Sequence, residues 1–195
     1  MEKLLQELQA LKGQEIEPNI VRKTLLSHDL RNLQYKQYLQ GADMNSYNRI
    51  NLIDEPLQAF IMIRPPQHHL PIHQHNNFWG FIIPLEGIVS ETMYNYDTTK
   101  GKVYIHPTKM YSTGDYIYEP FNLLHKLQNT SPIDPAITFH VRYPSKYDYD
   151  GTMILDAKNR KMAILNHNAR QVGWDLPRDH YQSMEENAYE LEKLW

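Results

Sequence analysis

Three histidines carry the chemistry that this sequence makes legible. His73 and His75 stand two apart in Pro71-Ile72-His73-Gln74-His75, a strand-like run followed by the polar turn Asn76-Asn77 and an apolar segment over 78–85. In an extended strand alternate side chains share a face, so both imidazoles point one way, about 7 Å apart at ~3.3 Å per residue. Two imidazoles so placed can converge on one metal ion. An isolated pair of this spacing is as often two ordinary turn histidines, so a third ligand has to come from elsewhere. His125 is the candidate. It follows the turn Thr113-Gly114-Asp115 and the proline-ended segment 116–120, and it lies fifty residues beyond His75. That length holds two hairpins and returns a strand beside the first.

The stretch Asn76-Asn77-Phe78-Trp79-Gly80 contains no carboxylate, and Glu86 lies too far along the next strand to join the site. The expected ligand set is therefore His73, His75 and His125 alone. Imidazole suits iron, zinc, copper and nickel alike. Three neutral ligands leave the metal's double charge unbalanced, which favours an anionic external ligand. They also leave open coordination positions, as catalytic sites require.

The elements that must position these residues follow from periodicity. Leu4, Leu5, Leu8 and Leu11 have helical spacing, and Gly13 ends the run. A second helix is expected over 19–39, between Pro18 and Gly41, with Ile20, Leu25, Leu26, Leu30, Leu33 and Tyr38 on its apolar side. Strands are expected over 57–64, 81–85, 89–96, 103–106, 116–118, 125–128 and 136–143, with turn residues between them. Segments 152–156 and 161–165 read as a hairpin, and 183–195 as an acidic helix with Met184, Tyr189, Leu191 and Trp195. Many short punctuated strands suggest a sandwich or barrel, a class that includes jelly rolls of the cupin type. The expected architecture is mainly β: a cupin-type double-stranded β-helix with N-terminal helices and a short C-terminal helix. One domain is expected, with helices in 1–41 packed on a barrel over 47–165 and a tail over 166–195.

The composition narrows the function classes. A chain of 195 residues suits one domain with a sizeable core. A net charge of -3 gives no electrostatic case for nucleic acid. No apolar run nears the ~18 residues of a membrane span, and the first residues lack the features of a signal peptide. The absence of cysteine rules out disulfides, thiolate nucleophiles and zinc–cysteine sites, and makes a reducing cytoplasm the expected setting. His28, His106, His167 and His180 read as surface or structural residues. His68 and His69 are adjacent and would point to opposite faces of a strand.

The two histidine segments and the punctuation between them resemble the two motifs of the cupin superfamily. More narrowly, the chain is similar over 47–143 to the cysteine dioxygenase family of thiol dioxygenases. Tyr47-Asn48-Arg49-Ile50-Asn51-Leu52 resembles the family segment that carries a pocket tyrosine and the arginine for the substrate carboxylate. The resemblance implies Fe(II) held by His73, His75 and His125, with Tyr47 and Arg49 at the substrate. Trp79 is expected as pocket wall or core. Gly80 falls where animal members carry the cysteine of a cysteine–tyrosine crosslink and bacterial members often have glycine. His140 falls on the family histidine that hydrogen-bonds toward a catalytic tyrosine.

That tyrosine should stand two residues after His140, where this chain has Arg142; Tyr143 comes one later. Alternation sends Thr138, His140 and Arg142 to one face and Phe139, Val141 and Tyr143 to the other. Either a β-bulge turns Tyr143 inward or Arg142 occupies the pocket; the alternation favours Arg142. An arginine there could grip a second acidic group or replace the phenol as a donor toward oxygen.

The resemblance thus implies an Fe(II)- and O2-dependent dioxygenase that oxidises a small carboxylate-bearing thiol, such as cysteine or 3-mercaptopropionate, to its sulfinate. The partners would be an acidic small molecule and O2, with no nucleic acid and no membrane. The tail's apolar stripe could also support a homo-oligomer. Two alternatives stay open: a three-histidine iron oxygenase acting on a non-thiol amino or keto acid, and a non-enzymatic metal-binding cupin that senses or stores a ligand.

Overall fold

Strands with both faces covered organise this fold. The computed structural model describes residues 1–194. The strands, in chain order, are β1 (Asn48–Ile53), β2 (Gln58–Arg64), β3 (Ile72–His75), β4 (Trp79–Glu86), β5 (Val89–Asp97), β6 (Lys102–Ile105) and β7 (Lys109–Tyr111). They continue with β8 (Ile117–Glu119), β9 (Leu123–Asn129), β10 (Ala136–Tyr143), β11 (Met153–Asp156), β12 (Lys161–Leu165), β13 (Tyr181–Glu185) and β14 (Glu190–Lys193). One sheet has the order β1-β2-β10-β4-β8. The other has the order β13-β12-β11-β3-β9-β5-β6-β14, with β7 paired to β5. These curled, mainly antiparallel sheets make a cupin-type double-stranded β-helix, as expected from the punctuated strands.

The first sheet carries helices on its outer face. Ile61, Phe81, Ile83, Phe139 and Val141 share one buried cluster with Leu4 and Leu8 of α1 (Glu2–Gln9) and Val21 and Leu25 of α2 (Pro18–Leu26). The alternate residues Phe60, Gly80, Thr138, His140 and Arg142 belong to the inner face. With both faces buried, these strands read in sequence as nearly continuous apolar runs rather than as alternation.

Two expected elements differ. The second helix ends at Leu26 instead of continuing to residue 39. Pro18 starts it at a position where the missing N–H costs nothing. Past its end, the Asp29 carboxylate accepts from the Arg31 backbone N–H at 3.1 Å and from Asn32 Nδ2 at 2.7 Å. Such local side-chain bonds compete with helix, and here they turn the chain tightly. Leu30, Leu33 and Tyr35 still reach the core, so the apolar periodicity is served by short turns.

The acidic tail is also not a helix. β13 pairs with β12, and β14 runs parallel to β6. Tyr189 and Leu191, two apart, pack with Val103 and Leu155, which is strand periodicity. Lys102 Nζ meets Glu192 Oε2 at 3.0 Å on the outer side. Trp195, expected in this stripe, lies outside the described residues. Among the described residues no helix is long and apolar enough to cross a membrane.

Candidate metal centre

Antiparallel register brings the three histidines together. His73 on β3 lies directly opposite His125 on β9. His75, two residues on, keeps the same face. Its Nε2 is 2.9 Å from His73 Nε2 and 3.1 Å from His125 Nε2. All three side chains are buried.

Their outer nitrogens decide what the inner ones can do. His73 Nδ1 faces the Pro71 carbonyl at 2.9 Å, so it carries the proton and donates. His125 Nδ1 faces Glu91 Oε1 at 2.7 Å and donates likewise. Each of these rings therefore turns an Nε2 lone pair inward, and both lone pairs meet His75 Nε2. One proton on His75 could satisfy at most one of them. Burial, reinforced by His125, pushes the pKa of His73 and His75 well below the ordinary histidine value, so added protons do not resolve the conflict. A cation does, and the donor set fits one.

Two carboxylates surround this group. Glu91 on β5 reaches His125 by a diagonal cross-strand relation: Met93 opposes His125 and Glu91 opposes Leu127. Tyr111 Oη also donates to it at 3.3 Å. Glu119 on β8 is fully buried, with Oε1 3.5 Å from His125 Nε2 and 3.8 Å from His75 Nε2. Burial raises its pKa, against the pull of Arg142 and His125. The expected group of His73, His75 and His125 is present; beside it, unread in the sequence, lies the Glu119 carboxylate, which comes from the strand before His125.

Gly80 explains how Glu119 and Arg142 meet. Gly80 pairs with Arg142 on one side and Glu119 on the other. With no side chain between them, Arg142 Nε comes to 3.9 Å from Glu119 Oε2. Arg142 Nη1 also donates to Tyr147 Oη at 3.1 Å. Its guanidinium lies 4.3 Å from the Phe78 ring centroid, and Phe78 packs on His75. Burial alone would lower the Arg142 pKa, but Tyr147 and Glu119 hold it above the ordinary arginine value.

A cavity of about 570 Å³ opens beside the histidines; Arg49, Phe60, Met62, Phe78 and Arg142 are among its walls. Arg49, on edge strand β1, is exposed. Its Nε donates to Asn51 Oδ1 and its Nη2 to Gln58 Oε1, both at 2.8 Å. That fixes the guanidinium 3.8 Å from the Phe60 ring centroid. Tyr47 stacks on His68 with centroids 4.4 Å apart and also lines the cavity. Segment 170–175, including Arg170 and Trp174, also lines it. Tyr181 Oη anchors that segment, donating to the Gly173 carbonyl at 3.0 Å and accepting from Leu176 N–H at 3.1 Å.

The family model for cysteine dioxygenase type I matches residues 2–150. The chain belongs to the cysteine dioxygenase type I family. Similar solved chains include a conserved double-stranded β-helix protein from Klebsiella pneumoniae, 14% identical, with 64% of this chain and 90% of that one covered and a TM-score of 0.47. Another is a cupin 2 conserved barrel domain protein from Salinispora arenicola: 15% identity, 51% and 76% coverage, TM-score 0.39. A recombinant oxalate oxidase bound to glycolate gives 12% identity and a TM-score of 0.43, and the match spans 54% of each chain.

Against the pattern expected of a cysteine dioxygenase, the second half of β10 is distinctive. Arg142 is buried and lines the cavity, whereas Tyr143 packs on the helix side against Trp79, with ring centroids 5.6 Å apart. The register of β10 on β4 shifts only between Ile137 and Thr138, so no bulge re-aims Tyr143. Trp79 belongs to the helix-facing core and is not a cavity wall: it precedes inward-facing Gly80, and alternation turns it outward. Phe78 stands at the metal centre in its place. His140 does not bond a tyrosine. Its Nε2 lies 2.9 Å from Thr138 Oγ1, and that hydroxyl accepts from Arg64 Nη1 at 2.6 Å. Its ring stacks on Phe60, with centroids 4.9 Å apart.

Glu91, Glu119, Phe78 and Tyr147 are site residues to which the sequence reading gives no role. Glu119 was the most accessible of them, because alternation puts it on the face of buried Ile117. Glu91 acts through its bond to His125. Glu91→Gln should lower metal affinity by about 10- to 100-fold, measured by competition with a chromophoric chelator. Unchanged affinity would show that the bond leaves the ligand's basicity untouched.

Proposed function

We propose that this chain is an Fe(II)- and O2-dependent thiol dioxygenase that oxidises a small carboxylate-bearing thiol, of the cysteine or 3-mercaptopropionate kind, to its sulfinate. The observation that carries this reading is the convergence of three histidine Nε2 atoms beside an arginine-lined cavity, in a chain of this family.

His73, His75 and His125 would hold the iron. When bound, it would supply a meeting point for thiolate and O2 and the redox chemistry that puts both oxygen atoms on sulfur. The protein's own work is positioning. Arg49, steadied by Asn51 and Gln58, offers its remaining donors to the substrate carboxylate at the cavity mouth. Phe60, Met62 and Phe78 keep water from the buried end. Arg142 holds a fixed positive charge there, tethered by Tyr147.

A second reading keeps the metal and replaces the thiol with an amino or keto acid bearing two acidic groups. It is favoured by the two guanidiniums, Arg49 and Arg142, that line one cavity. An oxygen-uptake screen separates the two. Anaerobic iron-loaded protein mixed with cysteine or 3-mercaptopropionate should consume O2 and yield sulfinate. Uptake with dicarboxylic acids and none with thiols would reverse the preference, and no uptake with either would reject both.

Arg49→Ala should raise KM for the acidic thiol by at least about tenfold, the scale of one charged hydrogen bond. The effect on its decarboxylated analogue should be much smaller. Equal effects on both would remove Arg49 as the anchor.

A further inference from the structure

We propose that Glu119 is a fourth, carboxylate ligand of the metal held by His73, His75 and His125. The inference rests on that metal centre and not on thiol oxidation.

Glu119 has no other adequate partner. Both its oxygens are buried without a hydrogen bond, and so is Arg142 Nε. Oε2 and Arg142 Nε stand 3.9 Å apart, an ion pair beyond hydrogen-bond reach. The Tyr147 hydroxyl draws the other end of the guanidinium away. Oε1 lies closer to two of the histidine nitrogens, at 3.5 and 3.8 Å, than Oε2 does to the arginine.

Those nitrogens cannot serve Glu119 as donors. His125 spends its proton on Glu91 and turns a lone pair inward. His75 Nε2 already faces two further lone pairs at 2.9 and 3.1 Å. A buried carboxylate left in this state is costly unless it is paired or coordinates a metal. A divalent cation held by the three histidines would also attract and neutralise Glu119, whose Oε1 is already 3.5 and 3.8 Å from two of them.

The placement is built into the sheet. β8 is short and pairs with β4 over three residues, with Glu119 opposite Gly80. A Cβ at position 80 would stand 3.4 Å from Glu119 Oε2 and 2.6 Å from the Val141 carbonyl oxygen. The tight approach that the glycine permits is to the Val141 carbonyl and the Arg142 side chain, and it sets Glu119 and Arg142 on either side of a position with no side chain. Ligation by Glu119 halves the metal's net charge, so an incoming anion meets a single rather than a double positive charge. On this proposal the donor set is mixed, where the sequence leads one to expect three neutral ligands.

The test uses zinc and cobalt in the full chain, without thiol or oxygen, so its outcome is independent of the dioxygenase reading. Glu119→Gln should bind zinc at least about tenfold more weakly than the parent, and the visible bands of the cobalt form should change in position and intensity. Wild-type affinity together with an unchanged cobalt spectrum would overturn the proposal. A crystal structure of the zinc-loaded parent chain needs no variant. It should show a Glu119 oxygen about 2.0–2.2 Å from the ion. A carboxylate separated from the ion by a water would refute ligation even if the variant binds zinc poorly.

Discussion

His125→Ala should leave the purified protein without its metal at neutral pH. His125 stands directly across from His73 and within 3.1 Å of His75, so its removal takes out one corner of the site. It also strips Glu91 of its main partner and leaves Glu119 facing an empty corner. Structural zinc sites with four ligands bind with about 10–16 kcal/mol, so one ligand is worth on the order of 3 kcal/mol, about two decades in affinity. Metal analysis after desalting, with circular dichroism to show that the fold persists, measures the effect. Stoichiometric metal in a folded His125→Ala protein would take this residue out of the ligand set.

Gly80→Ala should destabilise the protein although it adds a single methyl group. The glycine is not needed for an unusual backbone angle; the requirement is space. The new Cβ would stand 2.6 Å from the Val141 carbonyl oxygen and 3.0 Å from Arg142 Cγ. The first of these is backbone in a paired strand, so β4 and β10 must separate locally or tilt. Overpacking of this kind costs about 1–3 kcal/mol, and for a chain of this length each kcal/mol lowers Tm by about 2–4 °C. Thermal unfolding would show it. A second signature is expected, because displaced Arg142 should shift the KM for acidic substrates. A Tm within 1 °C of the parent, on the order of experimental scatter, would mean that the strands yield more easily than their pairing implies.

The legible and illegible parts of this molecule divide along a physical line. The histidine site was readable because each ligand pair obeys a short-range rule: His73 and His75 share a strand face, and a return strand is needed to bring in His125. The same alternation separates Arg142 from Tyr143 and turns Trp79 away once Gly80 is known to face inward. Glu91 was hidden because its bond to His125 depends on the register between β5 and β9, which local pattern does not encode. The expected helices over 19–39 and 183–195 failed for a related reason. Apolar spacing of two to four residues suits turns and strands as well as helices, and the choice was made by the Asp29 and Asn32 side chains in one case and by strand pairing with β6 and β12 in the other. β1, which carries Arg49, is an edge strand with polar residues on its open side, so its strand character had little sequence signal.

Part of the cavity wall comes from residues 170–175, beyond the stretch shared with the family model. Tyr181 pins that wall from β13, which is itself tied into the second sheet. The cavity is thus walled by two separate lengths of polypeptide, one inside the family match and one beyond it. Exchanging Arg170 or Trp174 should alter that wall without touching any residue of the histidine cluster.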